Sequence, residues 1–214
     1  MLKVGLTGGI ASGKSVVGEM FVSLGAHLVQ ADQIAHSLMQ PGEAVYGEVV
    51  RHFGCGILNA DGSVNRAKLA ELAFGSSAGS EMVSAGSPRI EELNRIVHPA
   101  VLRRQEEWMR DEGRRDPHAV AMVEAALILE AGARSQFDKL VVVTCSSEQK
   151  IARFAARHKL DVESARKEVM RRMAAQLPDE EKLKAADHAI DNSGSLDGTR
   201  EQVRKVWAKL RAQA

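Results

Sequence analysis

Apolar positions follow two alternating rhythms along this chain. Residues 2–7 form a short, nearly unbroken apolar run stopped by Gly8-Gly9, the pattern of a parallel strand buried on both faces. From Ser15 the rhythm becomes helical, with Val17, Met20, Phe21 and Leu24 on one face and Gly25 as a natural stop. Residues 26–29 predict a second short strand, with Gln30-Ala31-Asp32 at its end. The alternation resumes with apolar runs over 119–123 and 140–144. Ser146 and Gln149 have capping-box spacing ahead of the next helix. A fifth strand candidate ends in Ile190-Asp191-Asn192, and Val203, Val206, Trp207 and Leu210 predict a final amphipathic helix on the core. Strands alternating with helices predict a parallel sheet covered on both faces.

Residues 33–111 break this alternation and read as mostly helical. Tyr46, Val49, Val50 and Phe53 make a stripe closed by Gly54, and Asp61-Gly62 signals a turn. Asn65 is a candidate N-cap for a helix carrying Leu69, Leu72 and Phe74. Eight of the fourteen residues 75–88 are Gly or Ser, which predicts a mobile loop. Ser87-Pro88 restarts a helix. His98-Pro99 predicts a junction between two helices, because proline biases the residue before it towards an extended backbone. The stretch 33–111 is thus expected to be a lobe inserted after the second strand. Residues 148–172, with eight Lys/Arg against four Asp/Glu, suggest a smaller insertion after the fourth.

Composition narrows the class. With 214 residues, 44% hydrophobic and 27% charged, the chain is neither largely disordered nor fibrous. No apolar stretch approaches the ~18 residues of a membrane span. Met1-Leu2-Lys3 runs directly into the first strand without an apolar leader, and the two cysteines lack metal-ligand spacing; a cytoplasmic protein is the expectation. A net charge of +1 makes no case for nucleic acid or membrane partners, and 4% aromatics leave few stacking platforms for single strands.

The strongest chemical signal is Gly8-Gly9-Ile10-Ala11-Ser12-Gly13-Lys14-Ser15, which matches G-x-x-x-x-G-K-[ST] between a strand and a helix. Glycines let successive amides turn towards phosphate oxygens, and the following helix adds its positive end. Lys14 is the candidate for the β- and γ-phosphates, and Ser15 for Mg²⁺. The loop implies a nucleoside triphosphate; kinases, GTPase switches and mechanical ATPases share it. No Asn-Lys-x-Asp for guanine occurs. Glu124, directly after the third apolar run, is either a Mg²⁺-side acid or a structural carboxylate. Asp32 follows the second strand, at the carboxyl edge where a hydroxyl acceptor could be oriented, or serves as a helix N-cap. Arg153 and Arg157 share a helical face without a local acid, as a lid over phosphate charge or as a solvated face.

Taken together these residues resemble the dephospho-CoA kinase family. The resemblance rests on VGLTGGIASGKS (residues 4–15), Gln30-Ala31-Asp32 with Ile34-Ala35-His36, His98-Pro99, and Leu127-Ile128-Leu129-Glu130. It is completed by Arg172-Met173-Ala174-Ala175-Gln176, Lys182, Ala186-Asp187 and Ile190-Asp191-Asn192-Ser193-Gly194. It implies transfer of phosphate from ATP to the ribose 3′-hydroxyl of dephospho-CoA, giving CoA and ADP in the last step of coenzyme A synthesis. It implies an α/β fold: a three-layer P-loop NTPase core with a five-stranded parallel sheet, an inserted helical substrate lobe and a small lid. The core would take residues 1–32, 112–145 and 177–214, the dephospho-CoA lobe 33–111, and the lid 146–176.

Carried over by position, Gly8, Gly9, Ile10, Ala11, Ser12, Gly13, Lys14, Ser15 and Val16 would bind ATP, with Asn192 beside the adenine and Mg²⁺ on Ser15. Asp32 would orient the hydroxyl and accept its proton, His98 would lie near the acceptor, and Lys14, Arg153 and Arg157 would meet the transferring phosphate. The expected assembly is a monomer or a weak homo-oligomer. Gln30 stands where the family has an acid, which leaves the proton chemistry to Asp32 and argues against a metal there. Ala11 replaces a usual Gly and Ala126 a frequent Pro. Two other readings remain: another small-molecule or nucleotide kinase on the same core, and an ATP-binding protein without an acceptor.

Overall fold

The computed structural model describes residues 1–74 and 89–214; the expected loop at 75–88 and the helix restart at Ser87-Pro88 fall outside them. The described residues divide into two compact units, one of Met1–Gln30 with Trp108–Ala214, the other of Ala31–Glu107.

The first unit is built on five parallel strands in the order β2-β3-β1-β4-β5: β1 (Leu2–Gly8), β2 (His27–Gln30), β3 (Val120–Glu124), β4 (Lys139–Thr144) and β5 (His188–Asp191). All five runs foreseen as strands pair, within a residue or two of their expected limits. β3 is buried along its whole length, which is why its sequence shows no polar alternation. One face of the sheet packs Val4, Leu6, Met122 and Val141 against Val17 and Phe21 of α1 (Lys14–Ser23) and Val203 and Leu210 of the C-terminal helix (Leu196–Arg211). The other face packs Ala121, Val123, Leu140 and Val142 against Met109, Ile128 and Phe137. After β4 come α-helices at Ser147–His158 and Val162–Ala174, whose own cluster of Ile151, Phe154, Ala165 and Val169 also carries Ile10 and Ala11.

The second unit contains α2 (Ala31–Leu38), α3 (Ala44–Phe53), α4 (Arg66–Phe74) and most of α5 (Ile90–Arg115). The remaining helices are then α6 (Ser147–His158), α7 (Val162–Ala174), α8 (Asp179–Lys184) and α9 (Leu196–Arg211). Asn65 caps α4 as expected: its Oδ1 accepts from the amides of Ala67 and Lys68, each at 3.1 Å.

Two expectations are corrected. His98-Pro99 is not a junction; it lies inside the continuous 26-residue helix α5. Pro99 falls on the exposed side while Val97, Ala100 and Val101 are buried. An interior proline costs about 3 kcal/mol, and burying each large apolar side chain returns about 1.5–3 kcal/mol, so the helix runs through. The capping box of α6 closes only one way. Ser146 Oγ accepts from the Gln149 amide, but the Ser146 amide donates to Ser193 Oγ at 3.1 Å, and the Gln149 side chain donates to the Ser193 carbonyl.

Candidate active site

The loop at 9–13 joins the carboxyl end of β1 to α1. Gly8 is required by space: a Cβ there would lie 2.2 Å from the Val143 carbonyl of β4. Gly13 is required by conformation. It caps α1 in the left-handed region at φ +91°, where a Cβ would also meet Asn192 Nδ2. The cap has no side-chain oxygen and the first turn has no acid, so the leading amides of α1 keep their donors for a ligand. Lys14 folds back over the loop, its Nζ donating to the carbonyls of Gly8 at 3.0 Å and Gly9 at 3.1 Å.

Beside it, Glu124 is the last residue of β3, in register with Leu6 of β1 and Gln30 of β2. That register sets Gln30 beside Glu124, and the start of α1 brings Ser15 to the same carboxylate. Ser15 Oγ donates to Glu124 Oε1 at 2.7 Å and Gln30 Nε2 donates to Oε2 at 3.1 Å. Glu124 is only 8% exposed, so both oxygens of a buried carboxylate are held by neutral donors. Among the described residues no group of three or more His, Cys, Asp or Glu side chains could form a metal cage. A hydroxyl and one carboxylate next to a phosphate loop still fit Mg²⁺, which keeps several waters and takes the rest of its ligands from phosphate.

The far side of the loop is tied down by two of the foreseen residues. Asn192, 2% exposed, donates from Nδ2 to the Ser12 carbonyl at 2.9 Å, and its Oδ1 accepts from Thr199 Oγ1 at 2.9 Å. Arg153 is half-buried and donates to the Ser12 carbonyl at 3.3 Å and to the Asn192 carbonyl at 2.9 Å. Both side chains thus bind the loop itself. Arg157, one turn further along α6, is exposed. Ile10 and Ala11 pack on the α6–α7 cluster, Ser12 is fully buried, and Val16 is 43% exposed.

In the second unit, Asp32 is exposed in the first turn of α2. It is the helix's second residue, so the N-cap alternative does not hold; a carboxylate there faces the positive end of the helix. His98 is half-buried in α5. The sequence leaves the role of Glu124 open and marks neither Thr199 nor the pairing of buried Lys150 with half-buried Asp179, which lies against Gly9. An apolar strand ending in an acid was the available signal for the first. Nothing local marks the other two, since each needs partners distant in the chain.

A glycine-rich loop opening from β1 onto a Lys-Ser helix start, in a parallel sheet of this order, defines a P-loop nucleotide-binding protein. A shikimate kinase structure from Acinetobacter baumannii shares this fold, with a TM-score of 0.54 at 16% identity over 100% of this chain and 94% of its own. The family model described as dephospho-CoA kinase matches residues 2–198. Dephospho-CoA kinases of Syntrophotalea carbinolica and Aquifex aeolicus are 41% and 36% identical, covering 98% of this chain and 92% and 98% of theirs. A solved dephospho-CoA kinase from Campylobacter jejuni superposes with a TM-score of 0.68 at 25% identity, over 99% of this chain and 98% of its own. The chain belongs to the dephospho-CoA kinase family, the kinases of the final ATP-dependent step of coenzyme A biosynthesis.

Proposed function

We propose that this chain transfers the γ-phosphoryl group of ATP to the ribose 3′-hydroxyl of dephospho-CoA, releasing CoA and ADP. The observation that carries the reading is the complete phosphate loop, with Lys14 and Ser15 at the head of α1, in a chain matched to the family over residues 2–198. The amides of Gly9 to Ser15 bind the phosphates, and Lys14 exchanges its carbonyl partners for phosphate oxygens. Ser15 and Glu124 are the side chains that would hold Mg²⁺, which when bound neutralises charge on the β- and γ-phosphates.

Asp32, exposed in the first turn of α2, orients the acceptor hydroxyl and takes its proton. Residues 33–111 form the acceptor lobe, with His98 near dephospho-CoA, and residues 146–176 act as the lid. Arg157 is the lid cation free to meet the transferring group, while Arg153 and Asn192 hold the loop and the adenine side in shape. Positioning and charge neutralisation supply most of the acceleration. The protein works in the cytoplasm as a monomer or weak homo-oligomer. Among the described residues no helix is long and apolar enough to cross a membrane.

The test is an acceptor panel. With ATP and Mg²⁺, dephospho-CoA is expected to gain one phosphate by mass spectrometry while CMP and AMP stay unchanged. A 3′-deoxy analogue of dephospho-CoA is expected to be inert. Phosphorylation of CMP or AMP in preference would overturn the acceptor assignment.

A further inference from the structure

A second lysine lies against the phosphate loop. Lys150, on α6, has a side chain only 2% exposed, yet its Nζ and the Asp179 carboxylate form a close ion pair. Both abut the loop backbone. A Cβ on Gly9 would lie 2.9 Å from Asp179 Oδ1 and 3.1 Å from Lys150 Nζ. The two partners differ in burial, since the side chain of Asp179 is 26% exposed and reaches water. An ammonium has three donors, and among the described residues Asp179 is the one hydrogen-bond acceptor of the Lys150 ammonium. Taking an ammonium out of water for a single partly solvated carboxylate is a poor exchange on stability grounds alone. A polyphosphate entering the loop supplies the charge and acceptors that this site lacks. α6 also turns Arg153, one turn from Lys150, to the same loop.

We propose that Lys150 is a phosphate-binding residue held in reserve by Asp179: when ATP occupies the loop, the ammonium turns from the carboxylate to the triphosphate. Lys150 then joins Lys14 as a second ammonium on the polyphosphate chain, and Asp179 is released to solvent. This rests on the reading of the loop as the ATP site, so ATP binding by the unaltered protein is the control. If that protein fails to bind ATP, the functional reading fails and not this one alone.

The experiment measures ATP and ADP affinity by calorimetry for four proteins: unaltered, Lys150→Met, Asp179→Asn, and the double variant. The double variant removes both charges, so it leaves no unpaired ion to unfold the site if Lys150→Met alone fails to fold. Loss of a charge-assisted contact predicts ATP binding about tenfold to a hundredfold weaker in Lys150→Met and in the double variant. Asp179→Asn is expected to bind ATP as tightly as the unaltered protein or more tightly, because the ammonium no longer leaves a partner. Lys150→Arg is expected to recover part of the loss. Normal ATP affinity in the double variant would overturn the proposal, since the pair would then serve only to brace the loop. So would an Asp179→Asn variant weakened as much as Lys150→Met.

Discussion

Among the described residues, two other than glycine sit in the left-handed region, Ala11 at φ +53° and Lys159 at φ +54°. The cost of that backbone is about 1–2 kcal/mol, against about 0.5–1 kcal/mol of extra chain entropy lost by a glycine. At Lys159, the exposed C-cap of α6, no packing opposes the exchange, so Lys159→Gly is expected to stabilise the protein by about 0.5–1 kcal/mol in denaturant titration. At Ala11 the methyl packs on the α6–α7 cluster, worth about 0.8 kcal/mol, so the terms cancel and Ala11→Gly is expected within about 0.5 kcal/mol of neutral. Asn192 is the opposite case. Asn192→Ala removes two buried hydrogen bonds, leaving the Ser12 carbonyl only its 3.3 Å bond from Arg153 and the Thr199 hydroxyl only its 3.3 Å bond to the Ser195 carbonyl, at a cost of about 1–3 kcal/mol. Its ATP affinity should fall with it, because Ser12 is part of the loop; an unchanged melting point would contradict this assignment.

At the scale of elements, α7 carries the clearest electrostatic signature. Glu168 accepts a two-pronged pair of hydrogen bonds from Arg171, both at 2.8 Å, and a further one from Arg172 at 2.6 Å. Arg171 first, then Arg172, holds its carboxyl down to about 2 from an ordinary 4.5. A folded-state value below the unfolded one means that the pairing stabilises the fold above about pH 4.5 and is lost as pH falls towards 2. Glu168→Gln should therefore flatten the loss of stability across that window and lower stability at pH 7; an unchanged acid profile would remove the pairing as its cause. How legible the elements were depended on where their partners lie. Strand runs and glycine stops are local, so β1 to β5, α1 and the Asn65 cap could be read directly. The continuity of α5 through His98-Pro99 could not, because it depends on which side of the helix packs. Nor could the diversion of Gln149 to Ser193, whose partner is 44 residues away.

For the whole molecule, every described partner of the loop named above lies within the unit of Met1–Gln30 and Trp108–Ala214, while Asp32 and His98 belong to Ala31–Glu107. ATP binding and acceptor handling are thus expected to separate by mutation. Asp32→Asn should lower kcat by about 10²–10⁴-fold while ATP affinity, read by calorimetry, stays near that of the unaltered protein. His98→Ala should raise KM for dephospho-CoA and leave ATP affinity alone. A parallel loss of ATP affinity in either would place the residue on the nucleotide side. The sequence motif placed the phosphate loop between β1 and α1, since that pattern is written in one continuous stretch. It did not show that Asn192 and Arg153 turn their side chains onto the loop, which follows from β5, α6 and α9 meeting there.

The central claim is that the phosphate loop serves transfer to an acceptor and not hydrolysis. The most direct measurement is ADP release by the purified protein with Mg²⁺ and ATP, with and without dephospho-CoA, alongside Lys14→Ala. Strong stimulation by dephospho-CoA is expected, with one CoA formed per ADP and both lost in Lys14→Ala. ADP release that ignores dephospho-CoA would contradict it.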